Sequence, residues 1–301
     1  MAPSTLFVGP LDRVLHLRAL APLEHLTAHQ LSVLARYVEE VSWAAGSTVY
    51  RPGEPVDACY VIVDGRISMR GAVNRDAGPR ETIGFLDQVA RTTRGLDAVA
   101  QTETLALRLD WDAQLEICEQ HFWVLWQYIR YLAKQLAARN VRVAERTPAA
   151  PLKSGSGLLN FAERMLTLGT TGVFPSNSMD AIAELARHVA ETTAEPPDRL
   201  WVQGSPANEF WLVASGEVQA IHDHDIEVIG AGAAAGMFEA LAGMSRRSDA
   251  VVSDAVRALR ISVEPFTDIL EDHFEMGVDF MSSLARLLLP HVWSARPSNG
   301  S

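Results

Sequence analysis

The residues of this chain that could carry catalytic or metal chemistry are few. Cys59 and Cys118 lie outside any CxxC or metal-spaced pair, so they predict two thiols in a reducing compartment. The run "HDHD" (222–225) could present alternate side chains to a metal, but it also has the composition of a polar hairpin tip. The sequence contains no nucleophile elbow, HExxH motif or pair of catalytic carboxylates. We therefore predict neither an enzyme nor a metal site.

A glycine-rich run, "GAGAAAG" (230–236), follows the strand-like "IEVI" and matches part of a dinucleotide-binding fingerprint. A true fingerprint needs a βαβ unit and an acidic residue about 20 positions further on. The repeat described below instead predicts a loop between strands at this place. We therefore expect no dinucleotide cofactor.

The composition indicates a globular chain large enough for two domains. It has 301 residues, 48% of them hydrophobic, and a net charge of −11. The negative charge argues against nucleic acid, which is bound by lysine and arginine at the phosphates. No apolar run approaches the roughly 18 residues that a membrane span requires, and the first residues make a poor signal peptide. The predicted location is the cytoplasm, with no DNA or membrane partner.

The chain repeats itself once. Residues 12–69 align with 163–220 at a shift of 151, and 84–122 align with 236–274 at a shift of 152. Two long blocks in the same order indicate a duplicated domain. The Pro-, Gly- and Ser-rich "RTPAAPLKSGSG" between the copies is typical of a linker. We predict a first domain at 1–145, a linker at 146–157, a second domain at 158–292 and a tail at 293–301.

Each copy has helices at its ends and short strands between them. In the first copy we predict helices at 11–20, 27–40 and 111–143, and strands at 48–50, 58–63, 66–70, 96–100 and 104–109. Asp64-Gly65 and Ser215-Gly216 are typical of hairpin turns, because glycine accepts a positive φ. The pattern predicts a mainly β fold with α-helices: two tandem jelly rolls, or double-stranded β-helices, with helices flanking each.

The segment 122–143 predicts a helix with an unusually wide apolar surface. Its stripe of Leu125, Ile129, Leu132 and Leu136 is broadened by Trp123, Trp126, Tyr128 and Tyr131. Such a helix needs two neighbours. One is its own barrel; the other is the second copy, a protein partner or a second chain in a homodimer. In the second copy we predict that the matching helix stops at Pro290, which leaves no room for a DNA-binding helix-turn-helix.

The stretch "PGEPVDACYVIVDGRI" (52–67) and its copy resemble the strand region of cyclic nucleotide-binding domains, as in catabolite activator protein and the regulatory subunits of cyclic-AMP-dependent kinase. The resemblance implies an eight-stranded jelly roll with a helical lid. It also implies a phosphate-binding cassette, usually Phe-Gly-Glu-x-Ala-Leu followed by Pro-Arg-x-Ala-Thr. In that cassette backbone amides and the arginine bind the cyclic phosphate, and the glutamate binds the ribose.

The cassette is only partly kept in this chain. Phe85 and Met237 stand where the resemblance implies glutamate, although an acid follows two residues later in both copies. Asp97 and Asp249 stand at the threonine position, where a negative charge would oppose a phosphate. The second copy keeps more of the pattern. The candidate ligand-binding residues are Gly236, Met237, Phe238, Glu239, Ala240, Arg246 and Arg247, with Gly84, Phe85, Asp87 and Arg94 in the first copy.

Two alternatives remain open for these residues. The glycines could simply be positions where no side chain fits, and the arginines Arg94 and Arg246 could pair internally with Asp97 and Asp249. The favoured function is a non-enzymatic regulatory or sensor protein. Its ligand would be a cyclic nucleotide, cAMP or cGMP, or a similar small anion, bound in the second domain without a cofactor. The alternative is a ligand-free scaffold that kept the fold and binds other proteins.

Overall fold

A computed structural model describes residues 8–18, 20–141, 159–170, 174, 179–222 and 225–293. The predicted linker and nearly all of the predicted tail lie outside these residues. The chain divides into two compact units. The first unit contains the described residues up to Tyr128 and those from Leu288 onward, and the second spans Ile129–Leu287. The division falls within helices, whereas the sequence predicts a boundary at 146–157.

The first unit consists of two sheets, and helices precede and follow their strands along the chain. Its sheets have the strand orders β1-β8-β3-β6 and β2-β7-β4-β5, and all pairings are antiparallel. The elements are α1 (Pro10–Arg18), α2 (Ala28–Leu34), β1 (Glu39–Trp43), β2 (Thr48–Tyr50), β3 (Ala58–Asp64), β4 (Ile67–Arg70), β5 (Arg75–Ala77), β6 (Thr82–Ile83), α3 (Phe85–Val89), β7 (Asp97–Ala100), β8 (Thr104–Asp110), α4 (Trp111–Gln120) and the start of α5 (Phe122–Ala138). Inward residues of both sheets, including Tyr60, Ile62, Ile67 and Met69, form one core.

The second unit repeats this plan with longer, bent strands. Strand order is β10-β14-β11-β12, with β13 beside β11 and β9 beside β14. The elements are α6 (Phe161–Thr170), α7 (Met179–His188), β9 (Ala190–Ala194), β10 (Arg199–Trp201), β11 (Glu209–His222), β12 (Asp225–Ile229), β13 (Ala234–Ala235), α8 (Met237–Ala242), β14 (Asp249–Ser262), α9 (Val263–Asp272) and α10 (Phe274–Trp293), of which α10 belongs to this unit only up to Leu287. The predicted fold class, two tandem jelly-roll domains with flanking helices, is confirmed.

The predicted hairpins at Gly65 and Gly216 are wrong. β3 and β4 belong to different sheets, and in the second unit β11 runs through Gly216 as one strand with shifts of register. Both glycines have positive φ, +92° and +81°. An added Cβ would lie 2.4 Å from the Glu103 carbonyl oxygen in one unit and 2.0 Å from that of Ala255 in the other. Glycine is needed here because the neighbouring strand passes directly over a corner of the barrel.

Three predicted helices differ from the observed ones. The helix predicted at 27–40 ends at Leu34, and β1 begins five residues later. Its start is as predicted, because Thr27 and Gln30 form a capping box. The helix predicted at 111–143 is broken at His121, where φ is −141°. α10 passes through Pro290 and ends only three residues later, at Trp293.

The helix predicted at 122–143 as a contact for a protein partner or homodimer buries its central apolar stripe within this chain. Trp123, Trp126 and Tyr131, which widen that stripe in the prediction, are half-buried, so a partner at this surface stays a prediction. The fully or nearly fully buried side chains of α5 are Val124, Leu125, Tyr128, Ile129, Leu132, Ala133, Leu136 and Ala137.

Among the described residues, no helix combines the length and apolar character needed to cross a membrane.

Candidate functional site

The second unit contains a cavity of about 390 Å³ beside α8. Five of the candidate residues from the sequence line it: Gly236, Met237, Phe238, Glu239 and Arg247. β12 contributes a second acidic side chain, Glu227, and the end of α5 closes another side. The volume lies in the range of small-molecule pockets.

Gly236 lines this cavity at the start of α8. It precedes α8 in the left-handed conformation, with φ +68°. A Cβ there would lie 2.2 Å from the Nη1 atom of Arg246, which donates a hydrogen bond of 2.8 Å to the Gly236 carbonyl. Glycine is therefore required both by the backbone conformation and by the arginine packed against it.

Arg246 forms part of the cavity's supporting wall and does not line the cavity itself. It is 3% exposed, and its second terminal nitrogen donates to the Glu209 carbonyl. The guanidinium lies 4.4 Å from the ring centre of Trp201 and 5.2 Å from that of Trp211. Burial lowers the pKa of Arg246 from its ordinary value, and Glu239 and Glu209 partly oppose this shift.

Trp201 is a lining residue that the sequence reasoning missed. Its ring stacks on that of Trp211 at 4.9 Å, and its indole N–H donates to the Ser248 carbonyl at 3.0 Å. The available signal was the repeat itself, which aligns these tryptophans with Tyr50 and Tyr60. An aromatic at both positions in both copies indicates a shared role, and that role is to pack against the buried arginine.

Arg247 supplies the positive charge at the cavity. Its side chain lines the cavity and donates from Nη1 to the carbonyl oxygen of Ala137, near the end of α5. Ala240, the remaining candidate, lies buried in α8 behind the lining residues. Of the two adjacent arginines, one is thus a buried structural group and the other is half-buried and faces the cavity.

Asp249 does not pair with Arg246, and its charge is balanced elsewhere. One carboxylate oxygen accepts a bond of 2.7 Å from the backbone N–H of Gln203, and the other lies 3.8 Å from Arg199. The residue is not part of the cavity lining. The Asp249 carboxylate, which the sequence analysis expected to oppose a phosphate, therefore points toward β10 and the residues that follow it.

The first unit repeats the glycine and arginine pair. Gly84 has φ +75°, and a Cβ on it would lie 2.1 Å from the Nη1 atom of Arg94. Arg94 is 2% exposed, donates to the Ala58 carbonyl at 2.6 Å and lies 4.3 Å from the ring centre of Tyr50. Its carboxylate neighbour is Asp57, at 3.5 Å, so the alternative pairing with Asp97 is not observed.

The first unit differs in the residues around this pair. Asp87, the counterpart of Glu239, is 7% exposed and accepts a bond from the backbone N–H of Gly95. Burial raises its pKa to about 6, against the opposing effect of Arg94. Gly95 stands at the position of Arg247, so this unit has no second arginine there. Phe85, at the glutamate position, packs edge-on against Tyr128 at 5.3 Å.

The "HDHD" run lies where a hairpin tip was predicted. His222 ends β11 and Asp225 begins β12, while the two residues between them lie outside the described part of the chain. Within the described residues, no cluster of three or more His, Cys, Asp or Glu side chains has the arrangement of a metal site.

Comparison with known proteins finds similar proteins at the levels of sequence and structure. A CRP-like cAMP-activated global transcriptional regulator of Mycobacterium tuberculosis is 26% identical over 187 residues, which is 58% of this chain and 84% of the relative. A cyclic nucleotide-binding-like protein from Brucella abortus is 32% identical over 36% of this chain and 98% of its own, with a TM-score of 0.33. The cAMP-bound "PfPKA-R (141–441)" is 13% identical over 94% of this chain and 91% of its own, with a TM-score of 0.37.

The sequence-based exclusion of a DNA partner is wrong. It rested on net charge and on the residues after the last helix, yet the Mycobacterium tuberculosis relative is a transcriptional regulator, the class that the argument excluded. Net charge is a sum over the whole chain and does not describe where lysine and arginine side chains lie.

The cyclic nucleotide-binding domain model matches twice, at residues 40–121 and 191–273. These two segments contain both barrels, including each glycine and arginine pair and each short helix between them. The expected resemblance is confirmed in both copies: the chain belongs to the cyclic nucleotide-binding domain family.

Proposed function

We propose that this chain is a non-enzymatic regulatory sensor whose second unit binds a cyclic nucleotide or a similar small anion. The observation that carries the proposal is the cavity in that unit, which Arg247 faces from the family's cassette. The description of the curated relative, a cAMP-activated regulator, supports the same class of ligand. cAMP and cGMP are the first ligands to test.

The lining chemistry suits a ligand with one anionic group and several hydrogen-bond donors. Arg247 can form charge-assisted bonds to a phosphate, and the half-buried Glu239 can accept from a sugar hydroxyl. Because Glu227 adds a second acid, a ligand that carried only negative charge would be repelled. Trp201 offers an apolar surface to a ring. Binding would leave the ligand unchanged and would shift populations of the protein.

For the first unit, the residues favour a domain that kept the fold without a ligand. Asp87 is buried and bonded to Gly95, so it is not presented to a sugar. Arg94 donates to a backbone carbonyl and lies under the Tyr50 ring, while its Nε and Nη1 atoms have no hydrogen-bond partner among the described residues. No second cation follows it in the cassette. The first unit therefore has a structural role in this proposal.

Titration calorimetry with cAMP and cGMP tests the proposal on the full chain. We compare the wild type with Arg247→Ala and with the control Arg199→Ala, whose side chain is half exposed and outside the cavity lining. Loss of a hydrogen bond from a charged group costs about 1.5–3 kcal/mol, so the first variant should bind roughly ten- to a hundredfold more weakly. The control should match the wild type.

The other outcomes contradict the proposal in different ways. Absence of heat with wild-type protein up to millimolar ligand would support the ligand-free scaffold. Equal affinity in the wild type and in Arg247→Ala would place the ligand elsewhere than this cavity.

A further inference from the structure

The last turn of α5 forms one wall of the cavity and has a well-defined helix cap. Asn140 has a positive φ of +50°, and its N–H bonds to the Ala137 carbonyl at 3.1 Å. The N–H of Val141 bonds back to Leu136, also at 3.1 Å. This is the usual arrangement for ending a helix with a left-handed residue. Ala137, Asn140 and Val141 all line the cavity.

Arg247 joins this cap to the cassette. Its guanidinium donates to the same Ala137 carbonyl that accepts from Asn140. Carbonyls at the end of a helix carry partial negative charge, so a cation is stabilising there. One side chain therefore lines the cavity and at the same time holds the end of α5.

We propose that Arg247 is a switch that couples occupancy of this cavity to the order of the last turn of α5; this inference rests on the proposed function. An anionic ligand would compete with the Ala137 carbonyl for the guanidinium. A full negative charge binds a guanidinium more strongly than a neutral carbonyl does, so the ligand displaces the Ala137 carbonyl from Nη1 of Arg247. The last turn then loses its cation and opens.

The neighbouring residues explain why the effect falls on Arg247 alone. Arg246 is held by the Gly236 and Glu209 carbonyls and is buried, so it cannot replace the lost contact. A different arginine, Arg130, donates from α5 to the Ala242 carbonyl at 3.4 Å. That contact lies two turns earlier in the helix, so the body of α5 stays fixed while its last turn is released.

Hydrogen exchange of the full chain tests the switch, with cAMP as the probe. The measured amides are those of Arg139, Asn140 and Val141, which bond to the last α5 carbonyls. We expect them to exchange about two- to tenfold faster when cAMP saturates the wild type. Arg247→Ala without ligand should show the same increase. If that variant does not fold, Arg247→Gln takes its place.

Arg139→Ala is the matched control, because it removes another arginine from the same helix end. That side chain donates to Gln135 on α5 and does not line the cavity. It should keep the response to cAMP.

Each remaining outcome has one meaning. If cAMP binds the wild type and these amides exchange at an unchanged or slower rate, the switch is refuted and the proposed function stands. If Arg247→Ala without ligand exchanges like the wild type, the guanidinium does not hold the cap and the switch is also refuted. If calorimetry detects no cyclic nucleotide binding, the proposed function fails first, and the switch fails with it.

Discussion

Two glycines on either side of β13 allow the contact between Gly236 and Arg246 to be measured. Gly236 and Gly232 both have positive φ, +68° and +86°. An added Cβ would meet Arg246 at the first position and nothing within 4 Å at the second. The pair Gly236→Ala and Gly232→Ala therefore differs in the arginine contact while sharing the cost of the backbone conformation.

The shared cost is about 1–2 kcal/mol, the penalty of a left-handed residue with a Cβ. Gly236→Ala adds a further term, because its Cβ would lie 2.2 Å from Nη1 of Arg246 and 3.3 Å from the Trp201 ring. Arg246 is 3% exposed, so its side chain cannot move into solvent to avoid the added Cβ. It must give up its bond to the Gly236 carbonyl, which costs about 1.5–3 kcal/mol. We expect a total loss of about 2.5–5 kcal/mol for Gly236→Ala.

The assay is urea unfolding of the full chain, followed by circular dichroism and tryptophan fluorescence, with linear extrapolation to water. Gly236→Ala should lower the free energy of unfolding by about 1.5–3 kcal/mol more than Gly232→Ala does. Equal losses in the two variants would refute the argument. They would mean that the arginine moves aside freely and that glycine is needed here for its φ alone.

Two further predictions concern buried ionisable groups. Burial raises the pKa of Asp87 to about 6 from its ordinary 3.8, so its contribution to stability is complete below pH 3.8 and is lost as pH rises to 6. Asp87→Asn should remove about 3 kcal/mol of that pH dependence in urea unfolding, and an unchanged slope would contradict the assignment. Burial also raises the pKa of both thiols, Cys59 and Cys118, to about 12. Ellman's reagent at pH 8 should label neither thiol in the folded chain and both in urea; rapid labelling without urea would show that the barrel opens locally.

Much of the fold is predictable from the sequence because the duplication presents each pattern twice. β2 is found at the predicted residues, and β3 and β8 each extend one residue beyond the prediction. The predictions failed where the pattern is ambiguous. Residues 35–40 continue the helical spacing of α2, yet Glu39–Trp43 pairs with β8, since tertiary pairing outweighs local propensity.

The site was predictable as a segment but not in its details. Gly236 and the first residues of α8, which the cassette pattern offers as candidates, line the cavity. The sequence could not tell which of the adjacent arginines faces the cavity, because both have the same side chain and their partners lie far away in the chain. That choice depends on bonds to Glu209 and Ala137, which are 37 and 110 residues away.

The comparison of the two units separates the residues that they share from those that differ between them. Both units keep a left-handed glycine, a buried arginine against it and an aromatic ring over the guanidinium. Each arginine donates to backbone carbonyls and packs against an aromatic ring, yet Nε of both arginines and Nη1 of Arg94 are buried without a hydrogen-bond partner among the described residues. Packing alone therefore does not satisfy either guanidinium. In the described part of the chain, the second unit adds a cation and a half-buried acid at a cavity, Arg247 and Glu239. The glycine and arginine of the cassette are therefore common to both units, and the residues beside them are what distinguishes the two.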